Sequence, residues 1–233
     1  MYRDFLLEKL TKSEISSLFT FNLSSAKSSL LNPGVVSKQE LPKEEVKSPY
    51  IVVFRHGQST DNIKRIFSGW GDPKLTKVGE YQAEILSNKL NHLNFNYYFC
   101  SDQIRSMETL RIAMGERKYT PTVDWRLKER SYGIFTGKSK TEVMNKNLLL
   151  AVLLRRSWEY SPPNGESVLM VYYRILPFLK MLELILKKEN ANAVISCSGN
   201  SMRVIRAYYE NLTPDKAVAL ENPTGQDYCL YNL

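Results

Sequence analysis

The sequence has no hydrophobic run long enough to cross a membrane. Its longest run, LLLAVLL at 148–154, falls well short of the about 18–20 apolar residues that a spanning helix requires. The first residues also lack the basic start, apolar middle and small-residue cleavage site of a signal peptide. We therefore expect no membrane partner and a cytoplasmic location.

Cysteine and histidine are scarce, with three and two copies in 233 residues. The three cysteines, at 100, 197 and 229, are odd in number and lie in runs typical of buried strands. No disulfide framework is indicated, and a reducing compartment is favoured. Two distant histidines and no cluster of cysteine and histidine make a poor transition-metal site, so we expect no metal cofactor.

The charge is basic, with 32 Lys and Arg against 24 Asp and Glu, and nearly all of the excess falls in residues 50–233. Such an excess suits nucleic acid, an acidic membrane or a small polyanion. No dense basic block is interleaved with aromatic residues, which argues against nucleic acid.

Two parts of the chain differ in composition. Residues 1–49 combine an amphipathic start with a Ser- and Lys-rich stretch and the segment NPGVVSKQELPKEEVKSP. This composition predicts a poorly ordered extension over 1–49, followed by a domain over 50–233.

From residue 50 onward, short apolar runs alternate with helical patterns. Predicted strands cover 50–54, 96–100, 193–197 and 227–233. Predicted helices cover 76–91 after the cap Thr76, 102–115 after the cap Ser101, 140–157, 167–189 begun by Ser167, and 200–210. The alternation indicates an α/β fold whose mainly parallel central sheet is flanked by helices on both faces.

In such folds ligands bind beyond the carboxyl ends of the strands. The segment RHGQSTDN places Arg55 and His56 directly after the first strand, and SDQIRS places Arg105 in the first turn of the helix after the second strand. Two guanidinium groups around an imidazole suit a tetrahedral dianion. His56 can then attack phosphorus and form a phosphohistidine.

A phosphoryl transfer also needs a group that donates and accepts protons. Glu129, in RLKERSYG, is the candidate general acid and base. The second histidine, His92, comes before the second predicted strand, on the opposite rim of the sheet, and we expect a surface or capping role for it.

Eight elements occur in this order: RHGQSTDN, FSGWGDPKLTKVGE, WRLKERSYG, LLRRSW, NGES, RILPF, SGNSMR and NPTG. Over residues 50–233 the chain resembles the cofactor-dependent phosphoglycerate mutases of the histidine phosphatase superfamily. The resemblance implies interconversion of 3- and 2-phosphoglycerate in glycolysis and gluconeogenesis, with 2,3-bisphosphoglycerate as the phosphoryl primer.

The resemblance also implies a role for individual residues. His56 would hold the phosphoryl group, with Arg55, Asn62 and Arg105 around it, and Glu129 would shuttle the proton. The substrate's remaining anionic groups would contact Ser68, Gly69, Tyr132, Lys140, Arg155, Arg156, Gly199 and Asn200. So many cationic side chains suit a small phosphorylated acid better than a polymer.

One position departs from the family pattern. The family motif HGNS reads SGNS here, with Ser198 in place of the second catalytic histidine. Ser198 lacks the flanking glycines of a GxSxG nucleophile elbow, so we interpret it as a substituted phosphate-contacting position. Losing one charge-stabilising donor typically costs about 10²–10³ in rate.

Two alternatives to the mutase therefore stay open. One is a mutase-derived phosphatase that acts on small phosphorylated acids, and the other is a catalytically inactive relative that serves as a binding protein. The sequence is compatible with a homo-oligomer in each case.

Overall fold

The computed structural model describes residues 40–233. Its sheet contains β1 (Tyr50–Arg55), β2 (Tyr97–Cys100), β3 (Thr122–Val123), β4 (Ala193–Cys197) and β5 (Cys229–Asn232). The strand order is β3-β2-β4-β1-β5. All neighbouring strands are parallel except β5, which runs antiparallel to β1. The predicted α/β fold with a mainly parallel sheet is confirmed.

The helices of the described residues fall at or near the predicted positions. They are α1 (Thr60–Lys64), α2 (Lys77–Leu90), α3 (Ile104–Met114), α4 (Lys140–Lys146), α5 (Leu148–Arg156), α6 (Val168–Glu189), α7 (Gly199–Tyr209) and α8 (Pro214–Ala219). Short 3₁₀ turns cover Trp125–Leu127 and Gly133–Phe135. The sequence analysis did not predict β3, α1 or α8, which have two, five and six residues.

The predicted helical stretch over 140–157 is two helices, not one. Asn147 ends α4 in an extended backbone conformation and begins α5, where its side chain accepts a hydrogen bond from the Leu150 N–H at 2.9 Å. The side-chain cap satisfies an N–H that would otherwise have no partner at a helix start.

The sheet buries both of its faces. Ile51 and Val53 of β1 pack with α6 and α7 on one side, and Val52 and Phe54 pack with α2 and α3 on the other. This alternation follows from the two-residue period of a strand. It confirms that helices flank the sheet on both faces.

Two of the three predicted helix caps are confirmed. The hydroxyls of Thr76 and Ser167 accept N–H groups of Gly79 and Met170, each at 3.1 Å. The assignment of Ser101 is wrong, because α3 begins at Ile104. The Ile104 N–H is instead satisfied by the Asp72 carboxylate at 2.8 Å, so a distant loop caps this helix.

Residues 40–49 lie against β5, although the sequence analysis assigned them to the extension. Leu41 is 4% exposed and belongs to the core beneath α6. Its N–H donates to Asp227 at 3.2 Å, and Lys43 forms an ion pair with Asp227 at 3.0 Å. The rest of the predicted extension, residues 1–39, lies outside the described residues.

The three cysteines are free thiols, and their predicted burial in strands is confirmed. Burial raises the pKa of Cys100 and of Cys229 to about 11. No helix within residues 40–233 is both long enough and apolar enough to cross a bilayer.

Candidate active site

A pocket opens at the carboxyl ends of β1, β2 and β4. It is lined by Arg55, His56, Asn62, Ser68, Gly69, Arg105, Glu129, Tyr132, Lys140, Arg155, Gly199, Asn200, Arg203, Glu221 and Asn222. Twelve of the fourteen site residues that the sequence suggested are among these fifteen. The two that are not are Arg156 and Ser198.

His56 lies in the pocket as a buried, uncharged imidazole. Its Nδ1 is 2.7 Å from the Gly57 carbonyl oxygen, an acceptor, so Nδ1 carries the hydrogen. Nε2 keeps its lone pair and accepts a hydrogen bond from Arg105 Nε at 3.2 Å. Burial holds the His56 pKa well below its usual value, and the charges of Arg105 and Arg55 lower it further. Nε2 is therefore available as a nucleophile at neutral pH.

Two glycines, Gly57 and Gly79, let the segment that follows β1 approach helix α2 closely. A Cβ at Gly57 would lie 2.3 Å from the Gly79 carbonyl oxygen, and one at Gly79 would lie 2.1 Å from the Gln58 carbonyl oxygen. Side chains at either position would separate the two backbones. The glycine of RHG thus lets the segment after β1 pack against the first turn of α2.

Arg105 connects His56 to the loop at residues 69–71. Its Nη1 donates to the Gly71 carbonyl at 2.8 Å, and its Nη2 donates to the Gly69 carbonyl at 3.1 Å. These two bonds and the bond to His56 fix a guanidinium that is only 1% exposed. Arg105 is held in position before any ligand binds.

Glu129 is a buried carboxylate in the same pocket. Its Oε1 accepts N–H groups from Arg130 at 2.7 Å and from the Asn200 side chain at 2.8 Å. Burial opposes ionisation of Glu129, but these hydrogen bonds, together with Arg105 and Arg55, outweigh it and lower the pKa. Without a ligand, Glu129 is a proton acceptor.

Further cationic side chains line the pocket beyond His56. Burial, together with Arg155 and Arg55, lowers the Lys140 pKa to about 7. Burial and the neighbouring Arg156 also lower the Arg155 pKa. Crowding of like charges is costly unless an anion binds among them.

Several buried N–H groups of these arginines have no hydrogen-bond partner. Among the described residues, the Nε atoms of Arg55, Arg155 and Arg203 are buried and unpaired. All three arginines line the pocket. No acceptor within residues 40–233 compensates these three donors, so they add to the positive character of the pocket wall. The arrangement fits an anion with several oxygens.

Arg156 lies beside the pocket. Its side chain is 3% exposed and pairs with Glu221. Nη1 of Arg156 donates to the Val218 carbonyl at 2.9 Å. Arg156 therefore supports the loop that carries Glu221, and this differs from the direct substrate contact that the resemblance implied.

Ser198 is fully buried behind the pocket. Its hydroxyl donates to Gln103 Oε1 at 3.0 Å, and the same oxygen accepts the Glu129 N–H at 2.9 Å. Gln103 Nε2 donates to the Gly69 carbonyl at 3.0 Å. The structure thus places Ser198 in a supporting network, whereas the sequence suggested a phosphate contact.

Four residues of this region were not predicted from the sequence: Gln103, Arg203, Glu221 and Asn222. Arg203 could have been found, because it lies one helical turn after Asn200 in SGNSMR. Glu221 and Asn222 precede β5, whose antiparallel direction brings that loop to the same rim. Asn222 accepts from Arg55 through its carbonyl at 2.8 Å.

The fold and site identify the chain as a member of the histidine phosphatase superfamily, branch 1, whose family model matches residues 51–230. Within it, the chain is similar to proteins named 2,3-bisphosphoglycerate-dependent phosphoglycerate mutase. One from Methanococcus vannielii is 34% identical, over 78% of this chain and 90% of the relative. One from Nitrobacter winogradskyi is 36% identical, over 75% and 87%.

Solved structures show the same fold at lower identity. A mycobacterial glucosyl-3-phosphoglycerate phosphatase superposes with a TM-score of 0.70 at 23% identity, covering 78% of this chain and 91% of its own. The α-ribazole phosphatase from Shigella flexneri superposes with a TM-score of 0.67 at 19% identity, covering 79% and 95%. No cluster of three or more potential metal-ligating side chains occurs within residues 40–233.

Proposed function

We propose that this protein is a phosphoglycerate mutase that interconverts 3- and 2-phosphoglycerate and is primed by 2,3-bisphosphoglycerate. The observation that carries the proposal is the uncharged His56, whose Nε2 faces Arg105 while Nδ1 is held by the Gly57 carbonyl. The names of the relatives at 34 to 36% identity support the choice of substrate.

In the proposed reaction the primer first transfers one phosphoryl group to His56. The Nε2–phosphorus bond forms as a phosphorus–oxygen bond of the primer breaks. Arg55 and Arg105 neutralise the transferred dianion, since guanidinium groups stay charged and bind phosphate oxygens in pairs. The products of this step are phosphohistidine at position 56 and a monophosphoglycerate, whose leaving oxygen takes a proton from solvent by way of Glu129.

The phosphoryl group then moves to a bound monophosphoglycerate. The free hydroxyl of the acid attacks phosphorus, the nitrogen–phosphorus bond breaks, and the hydroxyl proton passes to the Glu129 carboxylate. Transfer of the other phosphoryl group back to His56 reverses these roles, and Glu129 returns the proton to the leaving oxygen. Because its pKa is lowered, Glu129 is ionised and can accept the hydroxyl proton in the first of these transfers.

We further propose that turnover is low. Relatives with the HGNS motif place an imidazole where this chain has Ser198, and the Ser198 hydroxyl donates to Gln103. The loss of one charge-stabilising donor lowers kcat by about 10²–10³. The proposed setting is glycolysis or gluconeogenesis in the cytoplasm, with a small phosphorylated acid as the partner.

The test is turnover of purified full-length protein with 3-phosphoglycerate, with and without 2,3-bisphosphoglycerate. We expect 2-phosphoglycerate to form faster with the primer, no activity in His56→Ala, and unchanged activity in His92→Ala, since His92 is exposed on the opposite rim. Release of inorganic phosphate without isomerisation would favour the phosphatase instead. Binding without any turnover would favour the inactive relative.

A further inference from the structure

The far side of the pocket carries a carboxylate as well as cations. Among the residues that line the pocket, Glu129 and Glu221 are the two acids. Glu129 has Arg105 and Arg55 as charged neighbours, whereas Glu221 lies beside Arg155, Arg156 and Arg203, which we call the distal arginines. A negative charge there is unexpected in a pocket that binds acids.

Glu221 is ionised in this position. Partial burial opposes ionisation, but the charges of Arg156, Arg203 and Arg155 outweigh it and lower the Glu221 pKa. Its side chain is 44% exposed, whereas that of its ion-pair partner Arg156 is 3% exposed. The Glu221 side chain, which lines the pocket, is therefore accessible, while the Arg156 side chain is not.

The backbone holds the distal arginines in place. Arg203 donates to the Leu220 carbonyl at 2.9 Å, and Arg156 donates to the Val218 carbonyl at 2.9 Å. Both carbonyls belong to the segment that leads to Glu221. A ligand carboxylate that approaches Arg155 and Arg203 therefore meets the negative charge of Glu221 at close range.

We propose that Glu221 is a specificity-determining residue that weakens binding of phosphate esters carrying a second anionic group at the distal arginines. The proposal rests on the proposed function in one respect, namely that the pocket takes small phosphorylated acids. Two carboxylates near the same guanidinium groups repel each other, whereas a ligand hydroxyl can donate a hydrogen bond to Glu221. Glu221 thereby lowers the affinity for a distal carboxylate, including that of the proposed substrate, below what the distal arginines alone would give, and it tolerates a distal hydroxyl.

The test is calorimetric titration of the full-length protein with two ligands that differ only in the group expected at the distal arginines. 3-Phosphoglycerate carries a carboxylate where glycerol 3-phosphate carries a hydroxymethyl group. In Glu221→Gln we expect affinity for 3-phosphoglycerate to rise about tenfold, because the repulsion is removed while the side chain keeps its size. Affinity for glycerol 3-phosphate should change by less than about twofold, since that ligand lacks the distal charge.

Glu108→Gln is the matched control, since Glu108 pairs with Arg111 on the exposed face of α3 and its loss changes the net charge equally. It should change neither affinity by more than about twofold. Unchanged or weaker binding of 3-phosphoglycerate to Glu221→Gln, or an equal change for both ligands, would overturn the proposal. So would failure of either ligand to bind any of these proteins.

These titrations require no turnover. A protein that binds both ligands with the expected contrast but does not interconvert phosphoglycerates would contradict only the proposed function. Glu221→Ala should also raise the affinity for 3-phosphoglycerate, whereas it should weaken binding of glycerol 3-phosphate because it removes the hydrogen-bond acceptor. Agreement of the two variants on 3-phosphoglycerate shows that the loss of charge, and not the amide, is the cause.

Discussion

The Ser198 hydroxyl donates a hydrogen bond to Gln103 Oε1 at 3.0 Å, across 95 residues of sequence. Gln103 also accepts the Glu129 N–H and donates to the carbonyls of Gly69 and Gly71. One buried carboxamide thus joins Glu129, the loop that holds Arg105, and Ser198. Ser198 is part of a connected network.

This network predicts unequal effects of two alanine substitutions. Ser198→Ala removes one hydrogen bond outside the pocket, so we expect kcat to change less than about threefold, with about 1 kcal/mol less stability. Gln103→Ala leaves the Glu129 N–H and two carbonyls without this partner. We expect kcat to fall at least about tenfold further, because small displacements of catalytic groups are costly.

The comparison should be made by steady-state kinetics well below the melting temperature of each variant, with kcat and KM separated. A large loss of kcat in Ser198→Ala alone would contradict the supporting role, because it would mean that the hydroxyl acts on the phosphoryl group directly.

The lowered pKa of Lys140 predicts that the affinity for the substrate depends on pH. Its pKa is about 7 in the free protein, lowered by burial and by Arg155 and Arg55. Lysine loses its charge above its pKa, and a bound anion favours the charged form. Affinity for 3-phosphoglycerate should therefore fall as pH rises from about 7 to about 8.5, by at most tenfold per unit. Ionisation of the phosphate has the opposite sign but is largely complete in this range, since its second pKa is about 6.

Lys140→Arg provides the control, because a guanidinium stays charged throughout this range. We expect calorimetric titration to show a flatter pH profile for this variant than for the wild type. Parallel profiles for the two proteins would argue that another group causes the pH dependence.

The burial of Leu41 predicts that the stable domain begins before Tyr50. The residue is 4% exposed within the core beneath α6, so Leu41→Ala should lower the free energy of unfolding by about 2–4 kcal/mol. Val46→Ala is the matched control, since Val46 is 49% exposed and should change stability by less than about 0.5 kcal/mol. Denaturant titration measures both. Equal stabilities of the two variants would mean that residues 40–49 do not contribute to the core.

Local sequence signals were sufficient to bring Arg55, His56 and Arg105 to one pocket. Arg55 and His56 end a buried strand and Arg105 opens a helix, and strand direction alone brings these positions to one rim. The apolar periods likewise predicted most helices and strands, because each element buries a face of the sheet.

The remaining features depend on contacts between distant segments. Asp72 caps α3 from another loop, and Gln103 meets Ser198 only after β2 and β4 pair. Glu221 reaches the pocket because β5 is antiparallel, a direction that the residues of β5 do not reveal. Arg156 illustrates the same limit, since its partner Glu221 is 65 residues away.

Phosphorylation of His56 tests the central claim most directly. Full-length protein would be incubated with 2,3-bisphosphoglycerate, quenched in alkali because phosphohistidine is labile to acid, and analysed by peptide mass spectrometry. We predict one phosphoryl group on the peptide that contains His56, absent in His56→Ala and retained in His92→Ala. No phosphorylation, or phosphorylation at another residue, would contradict the account.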